Sequence, residues 1–417
     1  MANPRAAERR RISAVSPRIS YEADCSGRRS VRMRKAYDIV IIGGGIIGLS
    51  TAWYLAEAGA GTILVLEKDR LGEGSTGRCA GGIRLQFSTE INILFSLNSM
   101  AVYEQFEQEF GKDIGFKRHG YLFLATEKEE MEQLERNHTL QNSHGVPSEL
   151  MDQSELSERW PFLNVSDLRG GAFCSRDGYA GPYEAVQGFY HRGRDRGVDY
   201  LEDAEVTAIE TDKGRVTTVR TMDHSFASGA VIVASGAYSA KVAALAGVEI
   251  PVKPYRRQLF FTAPFTALPS AFPLTIDYHS GWYFRREGVG LLLAGSQDRH
   301  SSFDTHTDYD AICFSAEHGV HRVPVIEGCE IQGGWGGSYD ITPDCHAILG
   351  ASEELQGLYL ACGFSGHGFM HAPAAGKVVA EIITHGHSET IDASALNPGR
   401  FRRGELIDEP MTVFKRE

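Results

Sequence analysis

Residues 37–69, YDIVIIGGGIIGLSTAWYLAEAGAGTILVLEKD, constrain the fold more than any other stretch. Residues 38–42 are apolar and β-branched apart from Asp38, and suit a buried parallel strand. Gly43, Gly45 and Gly48 then supply G-x-G-x-x-G. The first glycine permits a tight turn, the second lets the main chain approach a pyrophosphate, and the third lets a helix pack close to the strand. The pattern predicts a helix over 46–58, ended by Gly59 and Gly61, and a second strand over 62–66. Glu67 follows, 19 residues past Gly48, at the spacing of a ribose hydroxyl acceptor. The glycines alone are weak evidence. Their place between strand and helix, with an acid at this distance, makes a dinucleotide site the reading. An acid here disfavours a 2′-phosphate and hence NADP; FAD and NAD both remain open.

The chain has 417 residues, 42% of them hydrophobic, enough for a globular body of two domains. A net charge of −12 argues against a nucleic-acid partner. No apolar run approaches the ~20 residues of a membrane span. Residues 1–35 differ, with ten basic against three acidic side chains and no apolar signal core. They read as a disordered or artefactual tail, with translated sequence upstream of Met33 as one origin. The expected location is cytoplasmic, or mitochondrial if this basic segment is a transit peptide. Seven dispersed cysteines without C-x-x-C suit free thiols in a reducing compartment, and no histidine pattern suggests a metal.

Beyond Glu67, the loop 71–87 is dense in glycine and carries Arg78 and Arg84, as a loop beside a flat ligand would. Helices are expected over 90–110, 128–144, 151–162 and 178–196, and a strand over 120–125. Short strands at 198–201, 206–210, 215–221 and 225–226 read as a meander that returns to the parallel sheet at 231–234. Residues 250–335 are rich in strands and aromatics and predict a large antiparallel sheet. A last strand at 358–361 and a helix over 373–385 complete the body. The fold class is α/β, α+β overall. A Rossmann-type domain of residues 36–90, 165–249 and 336–395 interleaves with a substrate domain of 91–164 and 250–335, and 396–417 forms a C-terminal tail.

Residues 43–67, the loop GSTGRCAGGIRLQF, 231–239 (VIVASGAYS), 336–350 (GGSYDITPDCHAILG) and 363–373 (GFSGHGFMHAP) resemble the D-amino-acid oxidase/sarcosine oxidase superfamily. The likeness extends over roughly 36–390 and is closest to the sarcosine oxidase β-subunit and L-proline dehydrogenase β-subunit branch. It implies a glutathione-reductase-like FAD fold, and FAD rather than NAD. The cofactor contacts it implies are Gly43, Gly45, Ile46, Gly48, Glu67, Lys68, Ser75, Thr76, Arg78, Val206 and Gly236, with Gly363, Gly366, His367, Gly368, Phe369 and Met370 at the flavin. Glu67 would take the ribose, Val206 the adenine, Gly236 the pyrophosphate and Arg78 the flavin. The N-terminus of the last helix suits the anionic edge of reduced flavin, and His367 would add a donor there. Relatives attach flavin through a histidine where Arg78 stands, or a cysteine where Gly337 stands, so FAD is expected to be non-covalent.

The implied reaction oxidises the C–N bond of a small amino acid or N-alkyl amino acid of the sarcosine, proline or dimethylglycine kind. A hydride equivalent goes to flavin N5 and the imine hydrolyses. Arg84 is the candidate for the substrate carboxylate, Tyr283 and Trp282 for the pocket wall, and Arg257 and Gln258 for the other side of the flavin. Met370 replaces a carboxylate-binding lysine of monomeric sarcosine oxidases, which favours the proline-dehydrogenase-like branch. Leu292 replaces a lysine that promotes reaction with O2, so a dehydrogenase is favoured over an oxidase. The electron acceptor is O2, a quinone or an electron carrier, and a partner subunit is compatible with this branch. The competing reading is a flavoprotein scaffold or assembly factor without amine-oxidising activity.

Overall fold

The computed structural model describes residues 21–23, 29–31 and 33–410. Within the basic segment, Tyr21–Ala23 pairs antiparallel with Arg29–Val31. The rest of the expected tail up to residue 32 lies outside the described residues, as do 411–417. Residues 36–417 cluster as a second compact unit.

That unit is built on two sheets. In the first, Ile39–Ile42 lies between Ile63–Leu66 and Ala230–Val233, both parallel to it, and all of its residues are buried. Asp199–Leu201 adds a parallel strand outside Ile63–Leu66. Leu358–Cys362 adds another beside Ala230–Val233, and Ile348–Ala351 closes the sheet antiparallel to it. Apolar runs such as IVII and ILVL suit strands covered on both faces. The residues expected to open the meander therefore form a sheet edge instead. The meander is the separate three-stranded sheet Val206–Asp212, Arg215–Thr221 and Ser225–Ala227.

Two helices pack on one another against this sheet. Ile46–Glu57 meets Gly368–His385 where Gly376 faces Ser50; a Cβ on Gly376 would lie 2.3 Å from Ser50 Oγ. The later helix begins five residues before Pro373, not at it. A proline lacks the N–H that would bond the carbonyl four residues back. Here that carbonyl, of Phe369, accepts from Tyr103 Oη at 2.5 Å, and the Ala374 amide donates to Ser99 Oγ at 3.1 Å. Both partners come from Glu90–Glu104, so this neighbour repairs the broken ladder.

The helix expected over 90–110 stops at Glu104 and restarts as Phe106–Phe110. Phe106 and Phe110 stack at 4.3 Å and meet the edge of Phe189, which turns the short segment toward Pro182–Asp195. The helix expected over 151–162 covers only Gln153–Arg159. Asp152 and Glu155 form a capping box, and Met151 ends a strand, Ser148–Met151.

The second sheet has eight strands, in the order Ile331–Ile341, Lys253–Thr262, Gly290–Gln297, Tyr283–Glu287, Leu274–Asp277, Tyr121–Ala125, Gly170–Cys174 and Ser148–Met151. It is mixed, because Leu274–Asp277 runs parallel to Tyr121–Ala125. Gly170–Cys174 belongs here although 165–249 read as dinucleotide-binding sequence, and Ile331–Ile341 runs through the expected boundary at 336. Both strands are rich in glycine, which hides their period-two pattern. Among the described residues, no helix is long and apolar enough to cross a membrane.

Within the described part of the expected C-terminal tail, Arg400 and Glu409 are buried. Arg400 is 1% exposed and grips Asp344 through Nε at 2.8 Å and Nη2 at 3.0 Å. Burial alone would raise the Asp344 carboxyl; the Arg400 hydrogen bonds and charge outweigh it and hold it below its usual value. A depressed carboxyl stabilises the fold above its unfolded pKa of ~4, and that contribution is lost as pH falls through the lower folded value. Arg400→Ala leaves a buried carboxylate unpaired and is expected to destabilise by about 3–5 kcal/mol. Thermal unfolding should show a loss that shrinks as pH falls, because without Arg400 burial raises the Asp344 carboxyl and it protonates in the folded variant.

Candidate active site

The glycine turn is fixed by close contacts. Gly43 adopts φ +117°, and a Cβ there would lie 2.4 Å from the Ala234 carbonyl oxygen. A Cβ on Gly48 would lie 2.0 Å from the carbonyl oxygen of Gly43, so helix and strand approach through glycine alone. Gly45 is the N-cap residue of Ile46–Glu57 and has no side chain to cap it. The Ile46 amide is taken by Thr76 Oγ1 at 3.1 Å. Glu67 Oε2 accepts from the Gly44 amide at 2.7 Å and Oε1 from the Asp69 amide at 3.0 Å. Burial raises its pKa, and those two amides oppose the rise. Lys68 points to the surface, pairs with Asp69 and lies over the Tyr238 ring. Ser75 Oγ donates to the Ser338 carbonyl at 2.5 Å and lies 4.0 Å from where Gly236 would carry a Cβ. Val206 is buried at the start of the meander.

A second helix N-terminus faces the same region. Asp340 Oδ2 accepts from the Gly363 amide at 2.8 Å and the Phe364 amide at 3.1 Å. Burial lifts this carboxyl to about 6, against those amides. Gly366 presses on the Tyr339 ring, where a Cβ would come within 2.3 Å. His367 is the N-cap residue of Gly368–His385, again without a side-chain cap. Burial, then the Arg84 charge, push His367 well below the usual histidine range, so it is neutral. Its Nε2 lies 3.4 Å from Arg84 Nη2. A guanidinium only donates, so Nε2 accepts and the proton is assigned to Nδ1.

Between these elements lies a cavity of about 150 Å³. Its lining includes Cys79–Gly82, Arg84, Tyr121, Phe123, Arg257, Tyr283, Tyr339, His367, Phe369 and Met370, and among the described residues no carboxylate. The Arg84 guanidinium stacks 3.9 Å from the Phe87 ring centroid and donates to the Gln86 carbonyl. Among the described residues it has no ion-pair partner. Asp177 fixes the flanking chain, accepting from the Leu85 amide at 2.8 Å and from Gln86 Nε2 at 3.1 Å. Burial raises Asp177 to about 6.

The sheet sorts the other candidates. Tyr283 faces the cavity, but Trp282 does not: it is fully buried on the opposite face, stacked on Phe284 at 5.1 Å. Successive strand residues point to opposite faces, so only one of the pair can line the site. Gln258 lines the cavity with its amide committed to Asp308, while burial lowers Arg257 to about 10. Arg285 donates to the Ala80 carbonyl and pairs with Glu287 at 2.6 Å, whereas Arg286 serves the carbonyls of Phe265 and Pro269. Leu292 is buried with Leu259 and Ala294 against Ala80, Tyr283 and Trp335. Tyr121, Asp177 and Asp340 were missed from the sequence. Only Asp340 carried a signal, as the neighbour of Tyr339 in the Y-x-x-T-P-D stretch.

Residues 38–382 match the family model described as FAD dependent oxidoreductase. The chain belongs to this family. It is 32% identical to "FAD-dependent oxidoreductase domain-containing protein 1" of Bos taurus, over 89% of this chain and 86% of that protein. It is 30% identical to sarcosine oxidase subunit beta of Rhizobium meliloti (strain 1021), over 89% and 90%. The solved structure of L-proline dehydrogenase from P. horikoshii superposes with a TM-score of 0.84 at 33% identity, covering 90% of this chain and all of that one.

FAD is the cofactor of the family, and the residues present fit it. Two helix N-termini without side-chain caps, glycines that admit no Cβ and a carboxylate at the end of the second strand form a cradle for a dinucleotide. Arg78 and Gly337 face one another; a Gly337 Cβ would lie 3.1 Å from Arg78 Cβ. Cys79 lines the cavity, and burial pushes its thiol up to about 11, away from the reactive thiolate. Glu67→Ala removes the acceptor of two main-chain amides and the ribose acceptor expected from its spacing. It is expected to weaken FAD binding by about 1.5–3 kcal/mol, read as the Kd for FAD after release and rebinding; an unchanged Kd would contradict the assignment.

Proposed function

We propose that this protein oxidises the C–N bond of a small amino acid or N-alkyl amino acid, of the proline, sarcosine or dimethylglycine kind, with non-covalent FAD. The observation that carries the reading is Arg84, a cation held against the cavity by Phe87 with no carboxylate of its own among the described residues. A ligand carboxylate supplies the missing partner, and charged hydrogen bonds of this kind are strong in a partly buried site. The names of the similar proteins, sarcosine oxidase subunit beta and L-proline dehydrogenase, support the same class.

In this reading Glu67 holds the ribose, Val206 borders the adenine, and the uncapped turn at Gly45 and Ile46, with Ser75, Thr76 and Gly236, faces the pyrophosphate. Lys68 flanks the ribose acid from the surface. Arg78 and the turn Gly363–Met370 border the flavin. When bound, FAD supplies the hydride acceptor. The protein's own groups do the rest. Arg84 anchors the carboxylate and so orients the carbon to be oxidised. Tyr121, Phe123 and Tyr283 exclude water. Neutral His367 keeps Arg84 in place without adding a second charge. Among the described residues no carboxylate lines the cavity to favour an ammonium, and in this reading the amine is held in its neutral form. The likeness to a protein named as one subunit supports a partner chain as part of the proposal.

The test is anaerobic reduction of the flavin by proline, sarcosine, dimethylglycine, glycine and D-amino acids. At least one is expected to bleach the holoprotein; if none does, the scaffold reading takes its place. For an active substrate, Arg84→Ala is expected to raise KM by roughly 10- to 100-fold, matching about 1.5–3 kcal/mol for a charged hydrogen bond, with FAD content retained.

The acceptor follows from Leu292. A fixed cation stabilises the superoxide formed in the first step with O2. Leu292 supplies none, and among the described residues the cations that line the cavity are Arg84, assigned to the substrate carboxylate, and Arg257, with no lysine. Slow reoxidation by air-saturated buffer is expected in stopped flow, with faster turnover on a dye or quinone. Reoxidation fast enough to sustain full turnover would make the protein an oxidase.

A further inference from the structure

The segment 404–410, GELIDEP, follows the buried Arg400 and carries a second buried charge, Glu409, which is 4% exposed. A carboxylate is taken from water at high cost unless it is paired. Glu409 Oε2 accepts from Thr89 Oγ1 at 3.2 Å and from Asn92 Nδ2 at 3.1 Å, and lies 3.6 Å from His346 Nε2. Thr89 is the N-cap residue of Glu90–Glu104, yet its hydroxyl does not cap that helix. A threonine cap is worth about 1 kcal/mol, and here the hydroxyl is spent on Glu409 and His346 instead.

These contacts reach both sides of the cavity. Thr89 lies two residues beyond Phe87, the ring on which Arg84 rests and which meets the edge of His367 at 4.9 Å. On the far side, Tyr278, a lining residue, donates its hydroxyl to the Pro410 carbonyl at 3.2 Å. The Ile407 amide reaches Asp344 Oδ2 at 3.4 Å, so the segment is also tied to the buried Arg400 pair.

We propose that residues 405–410 form a strap across the substrate cavity, with Glu409 a positioning residue that sets the Arg84 side of the site against the Tyr278 side. Arg84 binds the carboxylate only as well as the chain from Arg84 to Asn92 is held, and Glu409 is what holds its far end. The proposal rests on the reading of Arg84 as the carboxylate anchor.

The experiment compares Glu409→Ala, Glu409→Gln and Tyr278→Phe as full-length holoproteins. Glutamine keeps an oxygen able to accept from Thr89 and Asn92; alanine keeps none. Glu409→Ala is expected to raise KM for a carboxylated amine by about tenfold, near the size of one lost charged hydrogen bond, with kcat and FAD content close to those of the unmodified protein. Glu409→Gln should restore most of the KM, and Tyr278→Phe should raise it more modestly. Hydrogen exchange, which needs no substrate, should show faster exchange at 84–92 and 276–281 in the alanine variant. Unchanged KM and exchange would overturn the strap, as would loss of FAD in step with activity in both Glu409 variants. If no carboxylated amine reduces the unmodified protein, the anchor reading fails, and the exchange measurement alone decides whether the strap exists.

Discussion

The approach of Gly48 to Gly43, with room for no Cβ between them, is the contact on which the rest of the site depends. It lets Ile46–Glu57 begin directly at the end of Ile39–Ile42, so the helix N-terminus opens where the parallel strands end. Its N-cap residue Gly45 has no side chain to cap it and Thr76 takes the Ile46 amide alone, so partial positive charge at the terminus is left for a ligand. The other helix at the site, Gly368–His385, packs on the first through Gly376 and opens without a side-chain cap as well. Two such termini meeting near one cavity are what a long anionic cofactor with a reducible ring requires.

The second helix is stable in this position only because its neighbour completes it. Pro373 breaks the ladder one turn in, and Tyr103 and Ser99 supply the missing donor and acceptor. The same neighbour, Glu90–Glu104, begins at Thr89, beside Phe87 and Arg84. The cofactor cradle and the Arg84 cation are thus joined through one helix. Buried carboxylates recur around it: Asp340 holds the turn at Gly363, Asp177 the chain beside Arg84, and Asp344 the pair with Arg400.

What was legible in the sequence was local. Residues 37–69 show strand, turn, helix and acid in order, and the structure sets them with Glu67 against the glycine turn. The strand 215–221 is also recovered to the residue, because β-branched residues dominate it. What was not legible depended on partners far away in the chain. The last helix starts before its proline because of residues 99 and 103. Trp282 and Tyr283 look equivalent in sequence, and sheet alternation alone sends one to the core and the other to the cavity. Gly170–Cys174 and Ile331–Ile341 are glycine-rich strands with little pattern to read. Residues 400–410 look like a polar tail, and their two buried charges are explained only by Asp344, Thr89 and Asn92.

The central claim is that Arg84 selects a substrate by its carboxylate beside the flavin. The most direct measurement is an anaerobic titration of the oxidised holoprotein with proline and, separately, with prolinamide, whose ring and amine are the same and whose carboxylate is replaced by a neutral amide. The account predicts that the carboxylate form of an active amine bleaches the flavin while its amide does so far more weakly. Equal reduction by acid and amide would contradict it.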